Sequence, residues 1–109
     1  MRQEHLKRRN EIREVFNKGK RYGCRGAKLF VMKNDLPHNR ICFTFSRGFG
    51  NAVARNRARR LGREAFRLMK SRLYAGYDLI LQVFPDSAAS LSDRAGELRA
   101  LFLKAGLLK

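Results

Sequence analysis

Tryptophan is absent from this 109-residue chain, and cysteine and proline occur twice each. Cys24 and Cys42 stand alone, outside any C-x-x-C spacing, so reduced thiols in a cytoplasmic protein are expected. With His5 and His38 the available imidazoles, a structural metal site is not expected. No apolar run approaches the length of a membrane span, and the N-terminal MRQEHLKRRN lacks the apolar region of a signal peptide, so neither a spanning nor a secreted product is expected. Acid is scarce too: nine Asp and Glu stand against 25 Lys and Arg, for a formal charge of +16. No carboxylates pair in a plausible pocket and no Ser/His/Asp arrangement is visible. His5 falls in a segment that reads as a mobile tail and His38 in a turn, where lone histidines are usually solvated. No catalytic side chain is therefore assigned, and any active chemistry is expected from a partner.

What is present suffices for a fold. Hydrophobic residues make up 44% of the chain, with eight Phe, which sets it apart from disordered polycations and fits one domain spanning residues 1–109. The charge is uneven. Residues 1–76 hold 21 basic and 5 acidic groups, residues 77–109 four of each. A cationic surface confined to the first two thirds points to nucleic acid, with an anionic membrane surface the weaker alternative.

The charge is densest in GFGNAVARNRARRLGREAFRLMKSR, residues 48–72. Gly48 and Gly50 supply a turn, Asn51 a cap, and residues 52–73 contain nothing to break a helix. At 3.6 residues per turn Ala54, Ala58, Leu61, Ala65, Leu68 and Met69 share a packing stripe. Arg55, Asn56, Arg59, Arg60, Arg63, Arg67 and Lys70 lie opposite. From Arg47 to Arg72 nine basic residues face the single acid Glu64, so an external polyanion is the natural counter-charge. Eight of the nine are Arg, which suits forked contacts to phosphate. Gly48-Phe49-Gly50 before a helix N-terminus also suits phosphate, but Val53 stands where a dinucleotide fingerprint needs its third glycine.

Residues 10–18 read as a short amphipathic helix, with Asn10 as cap and Gly19 as stop, and 20–26 as a basic glycine-containing loop. Residues 28–32 and 40–46 read as a hairpin across the turn at 34–39. In its second strand Ile41, Phe43 and Phe45 oppose Cys42, Thr44 and Ser46, which leaves a small polar face outside the deep core. Residues 77–84 suit a buried central strand. Ser90 or Ser92 caps a last helix that reaches about residue 105, with Gly106 at its end. The order helix-strand-strand-helix-strand-helix is that of an α+β two-layer sandwich. Phe16, Phe30, Phe43 and Phe45 are core by spacing alone. A cleft between the first helix and the sheet, with Phe16 and either Phe30 or Val31, is the place where aromatics could meet bases.

Gly50-Asn51-Ala52-Val53-Ala54-Arg55-Asn56-Arg57-Ala58-Arg59-Arg60, then Arg63 and Glu64, closely resembles the signature of the protein component of bacterial ribonuclease P. Leu6, Ile12, Val15-Phe16 and Gly19 follow that family's first helix, and Ser46-Arg47 with Gly50 its approach to the basic helix. The chain departs from the family pattern at Ile12, at Gly48 and in a longer segment 20–25. The resemblance implies a small mixed sheet with a left-handed βαβ crossover, which handedness rules would not give. It implies a subunit that binds the catalytic RNA through Arg47, Asn51, Arg55, Asn56, Arg57, Arg59, Arg60, Arg63 and Arg67. It places the 5′ leader of precursor tRNA in a cleft at Phe16, Phe30 and Val31. Catalysis would belong to the RNA, with Mg²⁺ held mainly by the RNA partner. A ribosomal-protein-like RNA binder or RNA chaperone is the alternative of another class. A DNA-binding regulator would need a short recognition helix in a helix-turn-helix.

Overall fold

The sheet is organised around its last strand to be made. The computed structural model describes residues 5–85 and 90–109. In chain order the elements are α1 Arg9–Lys18, β1 Lys20–Gly23, β2 Ala27–Lys33, β3 Arg40–Phe45, α2 Ala52–Met69, β4 Tyr77–Val83 and α3 Leu91–Lys104; a 3₁₀ turn, Lys70–Arg72, extends α2. The strand order is β1-β2-β4-β3. β4 runs antiparallel to β2 and parallel to β3, so the sheet is mixed and α2 makes the crossover between parallel neighbours. Leu79, Ile80 and Leu81 are all buried, as a strand covered on both faces requires.

The expected hairpin of β2 and β3 does not form, because β4 lies between them. The 34–39 connection instead bridges the entrance to β4: Asn34 N–H donates to Gly76 C=O at 2.9 Å and Tyr77 N–H to Asn39 Oδ1 at 2.8 Å. The expected loop at 20–26 contains a strand, β1, which pairs with β2 from Lys20↔Val31 to Gly23↔Lys28. It is a short edge strand with polar, exposed ends, and pairing rather than alternation defines it.

Side-chain alternation divides the core. Leu29, Val31, Ile41, Phe43, Leu79 and Leu81 pack beneath α2 and α3, against Ala65, Phe66, Met69, Leu98, Leu101 and Phe102. On the other face Phe30 and Ile80 meet Val15 of α1 and Leu6. The main sandwich is therefore the sheet and the α2/α3 layer, and α1 adds a partial layer on the reverse. Residue 5 is not in a free tail: His5 forms a parallel bridge with Ile41, and Leu6 N–H donates to Ile41 C=O at 3.0 Å.

Helix ends follow local chemistry. Asn51 Oδ1 accepts from Ala54 N–H at 2.9 Å, and Ser90 Oγ from Asp93 N–H at 3.1 Å. After α3, Gly106 takes φ 73°, Gly106 N–H donates to Leu103 C=O and Leu107 N–H to Phe102 C=O, the Schellman pattern. α1 begins at Arg9, with Arg8 before it and no side-chain cap, so Asn10 is not the cap the sequence suggested. Gly19 does stop α1, but for want of room: a Cβ there would lie 2.5 Å from Val15 O and 3.0 Å from Val31 O.

Candidate nucleic-acid interface

Two surfaces meet along β3, which is an edge strand of the sheet. The first is the solvent side of α2. Its N-terminus is fixed by the Asn51 cap and by Arg55, whose guanidinium donates to Gly50 C=O. The turn before it uses positive φ at Gly48 (82°) and Gly50 (148°), conformations that suit glycine. Arg59 Nη1 donates to Asn56 Oδ1 at 2.7 Å, and its guanidinium lies 5.2 Å above the Phe45 ring, which contacts Phe49 at 4.9 Å. Arg59 is thus pre-oriented by a cation–π contact and a hydrogen bond. Arg47, Arg57, Arg60, Arg63 and Arg67 are exposed. Arg67 pairs with Glu64, and that hydrogen bond holds the Glu64 carboxyl below its usual pKa.

The residues expected to bind RNA do not all lie on one surface. By helical geometry Asn56, Arg59, Arg60, Arg63 and Arg67 lie together on the side of α2 toward the β3 edge, whereas Arg57 lies on the flank of Leu61 and Leu68. Arg60, Arg63, Arg67 and Lys70 line an open groove of about 540 Å³, with Ile41 and Phe66 among its walls. The packing stripe is rotated from the predicted one. Gly62 and Phe66 are buried with Ala58, Ala65 and Met69, while Leu68 is 54% exposed.

The second surface is the α1 side of the sheet. Phe16 meets Phe30 edge-on, centroids 4.7 Å apart, and the Arg21 guanidinium sits 5.7 Å from the centre of the Phe30 ring. Val31 does not join them. It points through the sheet into the α2/α3 core, because adjacent strand residues face opposite ways. Beyond α1 the same face continues in register as Lys28, Gln82 and Thr44. Thr44 Oγ1 and Ser46 Oγ are buried without a hydrogen-bond partner among the described residues, so this floor keeps polar capacity for a ligand. Cys42 also faces it; burial pushes its thiol pKa up, and Arg59 opposes the shift.

α1 is tied to the sheet by charge as well as by packing. Arg40 donates from Nε to Asp78 Oδ1 at 2.8 Å and from Nη2 to Asp78 Oδ2 at 2.7 Å. On its other side, Nη1 reaches Glu11 Oε1 of α1 at 3.3 Å. Asn34 Nδ2 also donates to Asp78 Oδ1, at 2.9 Å. The Asp78 hydrogen bond, foremost, raises the Arg40 pKa, with burial opposing. Among the described residues no group of three or more His, Cys, Asp or Glu is placed to hold a metal ion. No described helix is long and apolar enough to cross a membrane.

A family model described as Ribonuclease P matches residues 1–106. The chain belongs to the ribonuclease P protein family. It is 43% identical over 76 residues to the ribonuclease P protein component of Natranaerobius thermophilus, covering 70% of this chain and 66% of that protein. The chain thus spans just under two thirds of that relative's length. It is 34% identical over 102 residues to the component from Syntrophus aciditrophicus, covering 93% of this chain and 86% of that one. Solved RNase P proteins share the fold. That of Staphylococcus aureus superposes with a TM-score of 0.85 at 23% identity, over 97% of this chain and 98% of that one. That of Thermotoga maritima gives 0.84 at 24%, over 93% and 96%.

Sequence reasoning about this ribonuclease P protein missed Arg21, Gln82 and the Glu11–Arg40–Asp78 network. A single arginine over a ring, or a glutamine in an apolar strand, carries no periodic signal. Three charges at positions 11, 40 and 78 are brought together by the fold alone.

Proposed function

We propose that the protein engages two RNA segments side by side. The solvent face of α2, with Arg59, Arg60, Arg63 and Arg67 and with Arg47 and Arg55 at its entry, takes phosphates of the catalytic RNA. The cleft at Phe16 and Phe30 takes the single-stranded 5′ leader of precursor tRNA. The carrying observation is the placement of half-buried Phe16 edge-on to buried Phe30, with Arg21 over the Phe30 ring, around the sheet edge from an arginine-lined helix. Stacking contributes about 1–3 kcal/mol per base, and phosphate contacts add salt-dependent affinity by releasing counterions.

This chain binds, orients and neutralises. Cleavage of the phosphodiester is assigned to the RNA partner with Mg²⁺ bound by RNA phosphates, since metal ions activate water and stabilise the leaving oxygen in such reactions. A net charge of +16 lowers repulsion between two RNAs, so less Mg²⁺ is needed. The site of action is the cytoplasm.

The test is 5′ leader release by protein, RNA and both, across a Mg²⁺ titration, on precursor tRNA with and without a leader. The expected result is no cleavage by nuclease-free protein, rescue of the RNA reaction at limiting Mg²⁺, and tighter binding of the leader-bearing substrate. Cleavage by protein alone, or equal affinity for both substrates, overturns the reading.

A further inference from the structure

The cleft has one wall that the sheet does not fix by backbone pairing, and that wall is α1. Near its C-terminal end α1 is held by close packing, where Gly19 leaves no room for a Cβ between Val15 O and Val31 O. Its N-terminal turn lacks a side-chain cap and carries Glu11, 30% exposed at the side chain, facing Arg40. The chain enters α1 from the Leu6–Ile41 backbone bond, and Phe16, half-buried against Phe30, lies between Glu11 and Gly19, so the distance of α1's first turn from the sheet sets how far Phe16 stands from it.

We propose that Arg40 is a positioning residue for leader binding: gripped by Asp78 on one side, it holds Glu11 on the other and so latches α1 at the width that the leader requires. The proposal rests on the reading of this cleft as the leader site. Arg40 is suited to the role. Its fork to Asp78, whose side chain is 4% exposed, and the Asn34 bond to the same carboxylate fix the guanidinium on β3 and β4 before α1 is considered. One edge then remains for Glu11, at 3.3 Å and 3.5 Å. A guanidinium can serve two carboxylates at once through its separate donors, as an ammonium point charge cannot do with the same geometry. The longer Glu11 contacts mark the α1 side as the weaker, releasable half of the latch.

Electrostatics alone and the latch predict opposite signs for one variant. Glu11→Gln removes a negative charge from a protein that binds RNA, which by itself tightens binding of any RNA. If the latch acts, the same change loosens α1 and weakens binding of the leader in particular. The experiment compares wild type, Glu11→Gln, Glu11→Lys and Phe16→Ala, each assembled with the catalytic RNA, on leader-bearing and leaderless precursor tRNA, with amide hydrogen exchange of residues 10–18 measured on the same proteins. Expected for Glu11→Gln is faster exchange in α1 and a KM for the leader-bearing substrate raised about 3- to 10-fold, with kcat unchanged, the leaderless KM unchanged or slightly lowered, and a larger effect on the leader-bearing KM for Glu11→Lys. Unchanged exchange, or equal changes for both substrates, overturns the latch. Loss of leader discrimination in Phe16→Ala but not in Glu11→Gln overturns the latch and spares the cleft; loss in neither overturns both.

Discussion

At Gly62 a single hydrogen atom decides how closely α2 approaches the sheet. A Cβ at that position would lie 2.6 Å from Cε1 and 2.8 Å from Cδ1 of Phe43, a ring held in the core. Replacing a helix-interior glycine by alanine ordinarily gains about 1 kcal/mol. Here the ring that must give way is itself packed in the core, and overpacking typically loses about 1–3 kcal/mol. Gly62→Ala is expected to lower the urea midpoint, by an amount equivalent to up to about 2 kcal/mol once the propensity gain is subtracted. A midpoint at or above wild type would show that Phe43 yields. The same position shows why the packing stripe was misjudged from sequence. Hydropathy gives glycine no weight and leucine much, so Leu68 was placed inside and Gly62 ignored, whereas close helix-to-sheet contact selects the smallest residue. Val31 is the complementary case: Phe30 and Val31 are both apolar, and only pairing register tells which faces α1.

At the scale of the element, α2 was legible because its signals are local. The Asn51 cap, the glycine turn and the run of arginines all act within a few residues of one another. Its two jobs are separable by mutation. Asn51→Ala removes the bond to Ala54 N–H and is expected to destabilise by about 1 kcal/mol. Arg63→Ala, at an exposed site, is expected to leave stability within about 0.5 kcal/mol, yet to weaken binding to the catalytic RNA and reduce the slope of log K against log salt by about 0.9. Thermal melts and filter binding over a KCl series check both. An Arg63→Ala protein with an unchanged slope would take that residue off the RNA surface. The strands were less legible. β4 was found by its continuous apolar run, but neighbours in a sheet are set by contacts far apart in the chain, so β2 and β3 were paired with each other. β1 carries no alternation by which it could be recognised.

On the scale of the whole molecule the charge is directional. The excess of +16 lies entirely in residues 1–76, and residues 77–109, which include α3, are balanced. Even the buried arginine of that helix is internally matched: Arg94 donates to Glu97 at 2.7 Å, and burial lowers its pKa while Glu97 resists. Affinity for the catalytic RNA should therefore fall steeply with monovalent salt, by about 10³–10⁵ between 50 and 200 mM if six to ten phosphates are neutralised. A shallow dependence in an equilibrium titration would mean that few cations of α2 touch phosphate.

The central place of β4 also bears on how the protein comes into being. β3 ends at Phe45 and its parallel partner begins at Tyr77, so a growing polypeptide must emit roughly 30 more residues, about 2–6 s of synthesis at 5–20 residues per second, before the sheet can close. During that interval the arginines of α2 leave the ribosome ahead of the strand that braces them. A nascent chain stalled before Tyr77 should be protease-sensitive throughout, and one stalled after α3 has cleared the exit tunnel should be protected in a single step.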